Sequence, residues 1–131
     1  MTEYIDNKKI KSTENDNFYN DTDYPHPDLT YLNALAEGDE AFIKEMLTLF
    51  LDSAPALTDS MRESARQGDF EKLHFSAHQL LPQLTFVGIL AAIPDVSKIE
   101  NEGKHMTDLS VYMERAIKII NYGMEDLKKL L

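Results

Sequence analysis

The chain contains no cysteine, so it has no disulfide framework, no thiolate nucleophile and no thiolate metal site. No apolar run is long enough to cross a bilayer, and residues 1–21 lack the apolar stretch of a signal peptide. Positive charge is scarce, with 13 Lys and Arg against 23 Asp and Glu and a formal net charge of −10. Nucleic acids and anionic membranes are bound through clustered Lys and Arg. We therefore expect a protein that binds neither nucleic acids nor anionic membranes. The missing signal peptide and membrane span predict a cytoplasmic location.

The composition of the chain changes near residue 28. Residues 1–27 hold many charges and four Asn but no Leu, Val or Ala, and we interpret them as a polar tail or linker. From residue 28 onward, apolar residues recur with helical spacing and runs of β-branched residues are almost absent. We predict that residues 28–131 form one domain.

The helical periodicity divides into five segments. They cover approximately residues 29–36, 40–66, 70–87, 89–102 and 107–127. Gly38–Asp39 and Gly68–Asp69 each combine a helix-ending glycine with a capping aspartate, and Thr107 is a candidate cap for the last helix. Short connections favour antiparallel neighbours. The sequence therefore predicts an all-α fold, an antiparallel up-down four-helix bundle with a short additional N-terminal helix.

The third segment carries a histidine on its outer face. Successive helical residues are offset by about 100°, so its apolar residues form one stripe that must face the core, namely Phe70, Leu73, Ala77, Leu80, Leu84 and Val87. His78 lies roughly 140° from the centre of that stripe, and we expect its imidazole to be accessible to solvent. Pro82 lies about 40° from His78 around the helix. Pro82 has no N–H to bond the backbone carbonyl of His78, but on this solvent-facing side of the helix that carbonyl can be hydrated.

An exposed histidine on a stiff helix has few chemical roles in this chain. No Gly-rich phosphate loop occurs, and no Ser is combined with a base and an orienting group. Imidazole is itself a nucleophile, and its ordinary pKa of about 6.5 leaves it mostly neutral at cellular pH. A neutral ring nitrogen can attack an activated phosphoryl group, such as an aspartyl phosphate on a partner. That partner can supply the metal and the other groups of phosphoryl transfer.

Several short segments together resemble the histidine-containing phosphotransfer domain of multistep two-component signalling, over most of residues 28–131. Their order is FLDSAP, ARQGDFEKLHFSAHQLL, VG and SKIENEG. The matching elements are GDEAFIKEMLTLFL, GDFEKL at the start of the third helix, AHQL at Ala77–Leu80, Gly88 ten residues after the histidine, and KIE before Gly103. In that family, the AHxL histidine accepts phosphate from a receiver-domain aspartate and passes it to another receiver. The resemblance implies this role for His78.

The resemblance also implies the partners of the chain. It indicates a phosphorelay intermediate rather than a self-contained enzyme, with no cofactor and no metal of its own. The partners are response-regulator receiver domains, and a hybrid sensor histidine kinase is a further candidate. We expect a monomer without a membrane-inserted segment. The predicted partner-binding residues are Phe75, Gln79, Leu81, Pro82, Gln83, Thr85 and Phe86.

Two positions depart from the family pattern. The family usually has Lys three residues after the histidine, which helps to hold the phosphate, and Gly four residues after it, which lets the partner approach closely. Leu81 and Pro82 stand at these positions. Gln79 and Gln83 are candidate hydrogen-bond donors to the phosphate. Two interpretations stay open, a phosphotransfer domain with an altered docking surface and a domain that only binds receivers.

Two alternative functions fit parts of the sequence. A non-catalytic helical adaptor would bind receiver domains without phosphotransfer, and His78 would then be an ordinary solvated residue. A metal-binding helical bundle is suggested by the ligand spacing of His74 and His78. The pairs Glu71-x-x-His74 and Glu102-x-x-His105 also match the Glu-x-x-His pattern of di-iron bundles. The residues of the third helix are predicted to point outward, whereas di-iron ligands point inward, so coincidence explains the pattern better.

Overall fold

The computed structural model describes residues 24–131, and every regular element in this range is helical. This confirms the predicted all-α class. The helices are α1 (Thr30–Ala36), α2 (Glu40–Gln67), α3 (Phe70–Val87), α4 (Ile93–Glu102) and α5 (Leu109–Lys128), and short 3₁₀ turns at Leu90–Ala92 and Gly103–His105 flank α4. Most of the predicted tail, residues 1–23, lies outside the described residues. None of the described helices is both long enough and apolar enough to cross a membrane.

Helices α2 and α3 begin where the Gly–Asp pairs predict. The side chains of Asp39 and Asp69 each accept a hydrogen bond of 3.1 Å from a backbone N–H in the first turn. These bonds satisfy donors that have no partner within the helix. Gly68 ends α2 in the left-handed conformation, with φ of 73°, and this conformation favours glycine. The start of α3 is therefore fixed by local chemistry.

The starts of α4 and α5 differ from the prediction. Pro94 lies in the first turn of α4, where its missing N–H needs no helical partner, and the residues before it form a 3₁₀ turn instead of helix. The predicted cap Thr107 is wrong. The backbone carbonyl of Asp108 accepts the first hydrogen bonds of α5, and no described side chain caps that helix.

The helices share one apolar core. α2 packs against α3 and α5, α4 packs against α3 and α5, and α1 covers part of α2 and α3. Fully buried large side chains come from every helix and include Leu32, Leu47, Leu73, Ile99 and Ile120. Full burial of one such side chain contributes about 1.5–3 kcal/mol. This packing fixes the rotation of α3 between α2 and α4, and thereby the direction of its outer face.

Residues 24–26 lie within the predicted linker and pack against α5. The Tyr24 ring stacks on Tyr122, with centroids 4.3 Å apart, and its hydroxyl donates to Asp126 Oδ1 at 2.9 Å. His26 Nδ1 is hydrogen-bonded to the other carboxylate oxygen of Asp126. We call residues 24–28 the N-terminal strap.

The strap also contacts the end of α3. The backbone N–H of Asp28 donates to the carbonyl oxygen of Gly88 at 2.9 Å. Gly88 has a φ of 79°, and a Cβ at this position would overlap the backbone of Asp28. Both the conformation and the close approach require glycine. The strap therefore joins the end of α3 to the end of α5.

Candidate functional site

Helix α3 presents His78 to solvent, as its periodicity predicts. The stripe opposite to His78 is buried at Leu73, Ala77, Leu80, Leu84 and Val87 and half-buried at Phe70. The His78 side chain is 69% exposed. Its imidazole is therefore accessible to a second protein.

The His78 ring is held by a carboxylate of α4. His78 Nδ1 lies 2.5 Å from Glu100 Oε2, and the Glu100 side chain is only 13% exposed. Because an ionised carboxylate only accepts hydrogen bonds, we assign the proton of this bond to Nδ1. The other ring nitrogen, Nε2, then carries the lone pair. The pair thus orients the ring and leaves Nε2 as the nitrogen whose lone pair can accept a proton or form a new bond.

A second histidine lies one helical turn before His78. His74 Nδ1 is 2.8 Å from the backbone carbonyl oxygen of Glu100, and His74 Nε2 is 4.0 Å from Glu100 Oε2. The rings of His74 and His78 are nearly parallel, at 10°, and their centroids are 6.0 Å apart. Glu100 therefore contacts both rings, one through its backbone and the other through its carboxylate.

The predicted partner-binding residues differ in exposure. They are exposed at Phe75, Gln79, Pro82 and Thr85 and half-buried at Leu81, Gln83 and Phe86. Gln83 Oε1 accepts a hydrogen bond of 2.8 Å from Ser53 Oγ, and its amide nitrogen donates to the carbonyl of Gln79 at 3.4 Å. Gln83 is thus engaged by α2 and by its own helix, so Gln79 remains the more accessible of the two predicted donors to a phosphate.

An apolar groove of about 410 Å³ lies between α2 and α3, one turn along α3 from His78. It is lined by Met46, Leu49, Phe50, Ser53, Pro82, Gln83, Phe86 and Val87. The periodicity of α2 predicts that Leu49 faces the core, but the residue is 54% exposed. The buried face of α2 instead passes through Leu47, Phe50 and Ala54, which leaves Leu49 at the edge of the groove.

The residues considered as metal ligands do not converge inside the protein. Glu71, His74 and His78 are all exposed on α3, and His105 is exposed in the second 3₁₀ turn. Among residues 24–131, no group of three or more Cys, His, Asp or Glu side chains is arranged to hold a metal ion. A di-iron centre needs inward-facing ligands from several helices, and this geometry does not supply them.

The sequence did not reveal the contact of Glu100 with His78, although Glu100 belongs to KIE, one of the segments that carry the family resemblance. Asp95, Val96 and Ile99 form the buried side of α4, so Glu100 lies at the edge of that side. The spacing predicts an edge position, but it does not identify the neighbouring helix that the side chain reaches.

Comparisons of the chain with models of known protein families, with curated proteins and with solved structures found no match.

Proposed function

We propose that the chain is a phosphorelay intermediate of the histidine-containing phosphotransfer type. His78 accepts a phosphoryl group from a receiver-domain aspartate and passes it to another receiver. The observation that carries the proposal is the bond between the exposed His78 ring and the largely buried Glu100 carboxylate. This bond leaves an accessible ring nitrogen with its lone pair available.

The site supplies what the transfer step requires from the acceptor. The lone pair of His78 Nε2 attacks phosphorus, and a nitrogen–phosphorus bond forms. The bond from phosphorus to the aspartyl oxygen breaks, and its electron pair leaves with the aspartate carboxylate. The ring gains positive charge in this step, and the Glu100 carboxylate stabilises that charge through Nδ1–H. Transfer to a second receiver is the same step in reverse.

The order of contacts between α2 and α3 supports a phosphotransfer-type bundle. Ser53 of α2 bonds to Gln83 of α3 at 2.8 Å. Ser60 lies further along α2, yet it bonds to Ser76, which lies earlier in α3, at 2.7 Å. Contacts that advance along one helix and recede along the other indicate antiparallel neighbours.

The contacts between α4 and α5 follow the same order. Asp95 accepts two hydrogen bonds of 2.7 Å from Arg115, and Lys98 Nζ lies 5.4 Å from the ring centroid of Tyr112. We infer that α2 to α5 form an antiparallel up-down four-helix bundle and that α1 is the additional N-terminal helix. In such a bundle, the outer face of α3 is open to a partner.

The surface around His78 suits a protein partner. Phe75, one turn before His78, is 58% exposed, and Leu49 in the groove is 54% exposed. Exposed apolar groups beside polar ones are typical of protein-binding surfaces. Docking of a receiver over this face would bring the receiver's phosphorylated aspartate to His78. Pro82 and Phe86 would then contact the receiver.

Phosphotransfer to His78 can be tested with a panel of receiver domains labelled at aspartate with ³²P. The expected result is an acid-labile, base-stable label on the full chain that disappears in His78→Gln. His105→Gln is the matched control, because His105 is also exposed, and this variant should keep the label. Failure of every receiver in the panel to label His78 would contradict the proposal.

One observation favours the adaptor as a second candidate function. Leu81 stands where the family has a phosphate-holding lysine, and its side chain packs against the core. The same experiment separates the two functions. A receiver that binds the chain tightly and transfers no label to it would support the adaptor.

A further inference from the structure

A phosphoryl group on His78 needs a positively charged neighbour. Such a group carries about two negative charges at neutral pH, and the positive charge that the ring gains on phosphorylation is already paired with the Glu100 carboxylate. The residues that follow His78 bring no cation to it, because Leu81 and Pro82 are uncharged and Gln83 is bonded to Ser53. We propose that protonated His74 is the cationic phosphoryl-binding residue of this site, so that phosphotransfer depends on the protonation of His74. This inference rests on the proposed function of His78.

The placement of His74 carries the inference. Its ring is nearly parallel to that of His78, at a centroid distance of 6.0 Å. The bond of His74 Nδ1 to the Glu100 carbonyl oxygen, at 2.8 Å, places the donor proton on Nδ1. Protonation therefore occurs at His74 Nε2. A second N–H then becomes available for a phosphoryl oxygen on the neighbouring ring.

The charges that face His74 come from three elements. Glu71 and His78 belong to α3, Glu100 to α4, and Lys104 and His105 to the second 3₁₀ turn. All of these except His78 line one cavity of about 410 Å³ together with His74. In the resting protein, the negative charges of Glu71 and Glu100 are partly balanced by Lys104. A phosphoryl group on His78 adds about two negative charges, which favour the imidazolium form of His74.

A histidine in this role makes the charge of the site depend on pH, which a lysine would not do. Imidazole changes charge between about pH 5 and 8, whereas an ordinary lysine stays positively charged throughout that range. The rate of phosphoryl transfer should therefore decrease as His74 loses its proton. A permanent cation at the same position should remove this pH dependence.

The test uses potassium phosphoramidate as the phosphoryl donor, so no receiver is needed. His78 Nε2 attacks phosphorus, the nitrogen–phosphorus bond of the donor breaks, and ammonia leaves. Initial rates of His78 phosphorylation are measured between about pH 5.5 and 8.5 for the full chain, His74→Gln, His74→Arg and the control His26→Gln, at an exposed histidine of the strap that lies outside this cavity. Each variant is compared with the wild type at the same pH, which cancels the titration of the donor.

The wild type should react about tenfold faster than His74→Gln at the acidic end of the range, and this advantage should vanish at the alkaline end. His74→Arg should keep the advantage at every pH, and His26→Gln should follow the wild type. His74 is exposed, so these substitutions leave the core intact.

Two results would overturn the inference, and they can be told apart. If the wild type reacts at His78 but its rate relative to His74→Gln does not change with pH, the role of His74 is wrong and the proposed function stands. If the wild type gains no phosphate on His78, the proposed function and the inference fail together.

Discussion

At the scale of single residues, removing the charge of Glu100 should slow phosphorylation of His78. Glu100→Gln keeps an oxygen acceptor but loses the carboxylate charge. A hydrogen bond to a charged group contributes about 1.5–3 kcal/mol, so the rate should fall about 10- to 100-fold. Glu102→Gln is the control, since Glu102 is an exposed carboxylate of the same helix. Initial rates with phosphoramidate measure the effect, and equal rates for the two variants would show that Glu100 has no electrostatic role.

The exposure of His78 could be predicted from the sequence, because the offset of about 100° per residue places it opposite to a long apolar stripe. The bond from His78 to Glu100 could not be predicted. It depends on the rotation of α4 and on its distance from α3, and both are set by packing between residues that lie far apart in sequence.

A charge in the apolar groove should weaken receiver binding. Leu49→Glu places a carboxylate at the groove, where docking would remove it from water at a cost. Val111→Glu makes the same change on α5, at a residue of similar exposure, 53% against 54%. Affinity for a transferring receiver, measured by calorimetry, should fall at least about tenfold for Leu49→Glu only. A similar loss in both variants would mean that the groove is not the contact surface.

At the scale of helices, the sequence predicts the elements better than their junctions. Helix α3 ends at Gly88 and begins after Asp69 because glycine and aspartate have strong local preferences at these positions. The 3₁₀ turns on either side of α4 have no comparable pattern. Three residues are too few for a periodic signal, and their conformation follows from the tertiary contacts around them.

Replacing the interior proline of α3 should stabilise the protein. Pro82→Ala restores a backbone donor for the carbonyl of His78 and removes a residue that costs about 3 kcal/mol inside a helix. We expect the free energy of unfolding in urea to rise by about 1–3 kcal/mol. Pro55→Ala is the matched control, an exposed interior proline of α2.

Only the variant in α3 should also change the rate of phosphorylation of His78, because Pro82 shapes the backbone beside the site. If Pro82→Ala unfolds or destabilises the domain, Pro82 has a structural role that its exposed position does not reveal.

At the scale of the whole molecule, the strap connects distant parts of the chain. The sequence of residues 24–27, YPHP, predicts extended backbone in a linker, and residues 24–28 contain no regular secondary structure in the structure. Their contacts with α5 could not be predicted. Tyr24 and Asp126 are 102 residues apart, and no local pattern relates them.

The hydrogen bonds between Asp126 and the strap should make the free energy of unfolding depend on pH. Partial burial raises the pKa of this carboxyl, but hydrogen bonds from His26 and Tyr24 outweigh that effect, so its pKa lies below the ordinary value of 3.8. A carboxyl group whose pKa is lower in the folded than in the unfolded chain stabilises the folded protein at pH values above its unfolded pKa. This contribution is lost as pH falls through the folded pKa. Asp126→Asn should therefore cost about 1.5–3 kcal/mol at pH 7.

The difference between Asp126→Asn and the wild type should begin to shrink as pH falls below about 4, the ordinary pKa of Asp. It should vanish once pH lies below the lowered pKa of Asp126 in the folded protein, where both side chains are neutral. Urea unfolding across this pH range measures it. Glu125→Gln, at an exposed neighbouring carboxylate, should show little loss at any pH. If Asp126→Asn lowers the free energy of unfolding equally in acid, the shape of the Asp126 side chain, not its charge, holds the strap.

The most direct measurement is long-range ¹H–¹⁵N correlation NMR of the His78 ring, recorded on ¹⁵N-labelled protein before and after phosphorylation by a receiver. We expect the proton on Nδ1 and the lone pair on Nε2 in the resting protein, and phosphate on Nε2 afterwards. A proton on Nε2 in the resting protein, or a ring that stays unmodified while the receiver loses its phosphate to the chain, would contradict the role of His78 and its bond to Glu100.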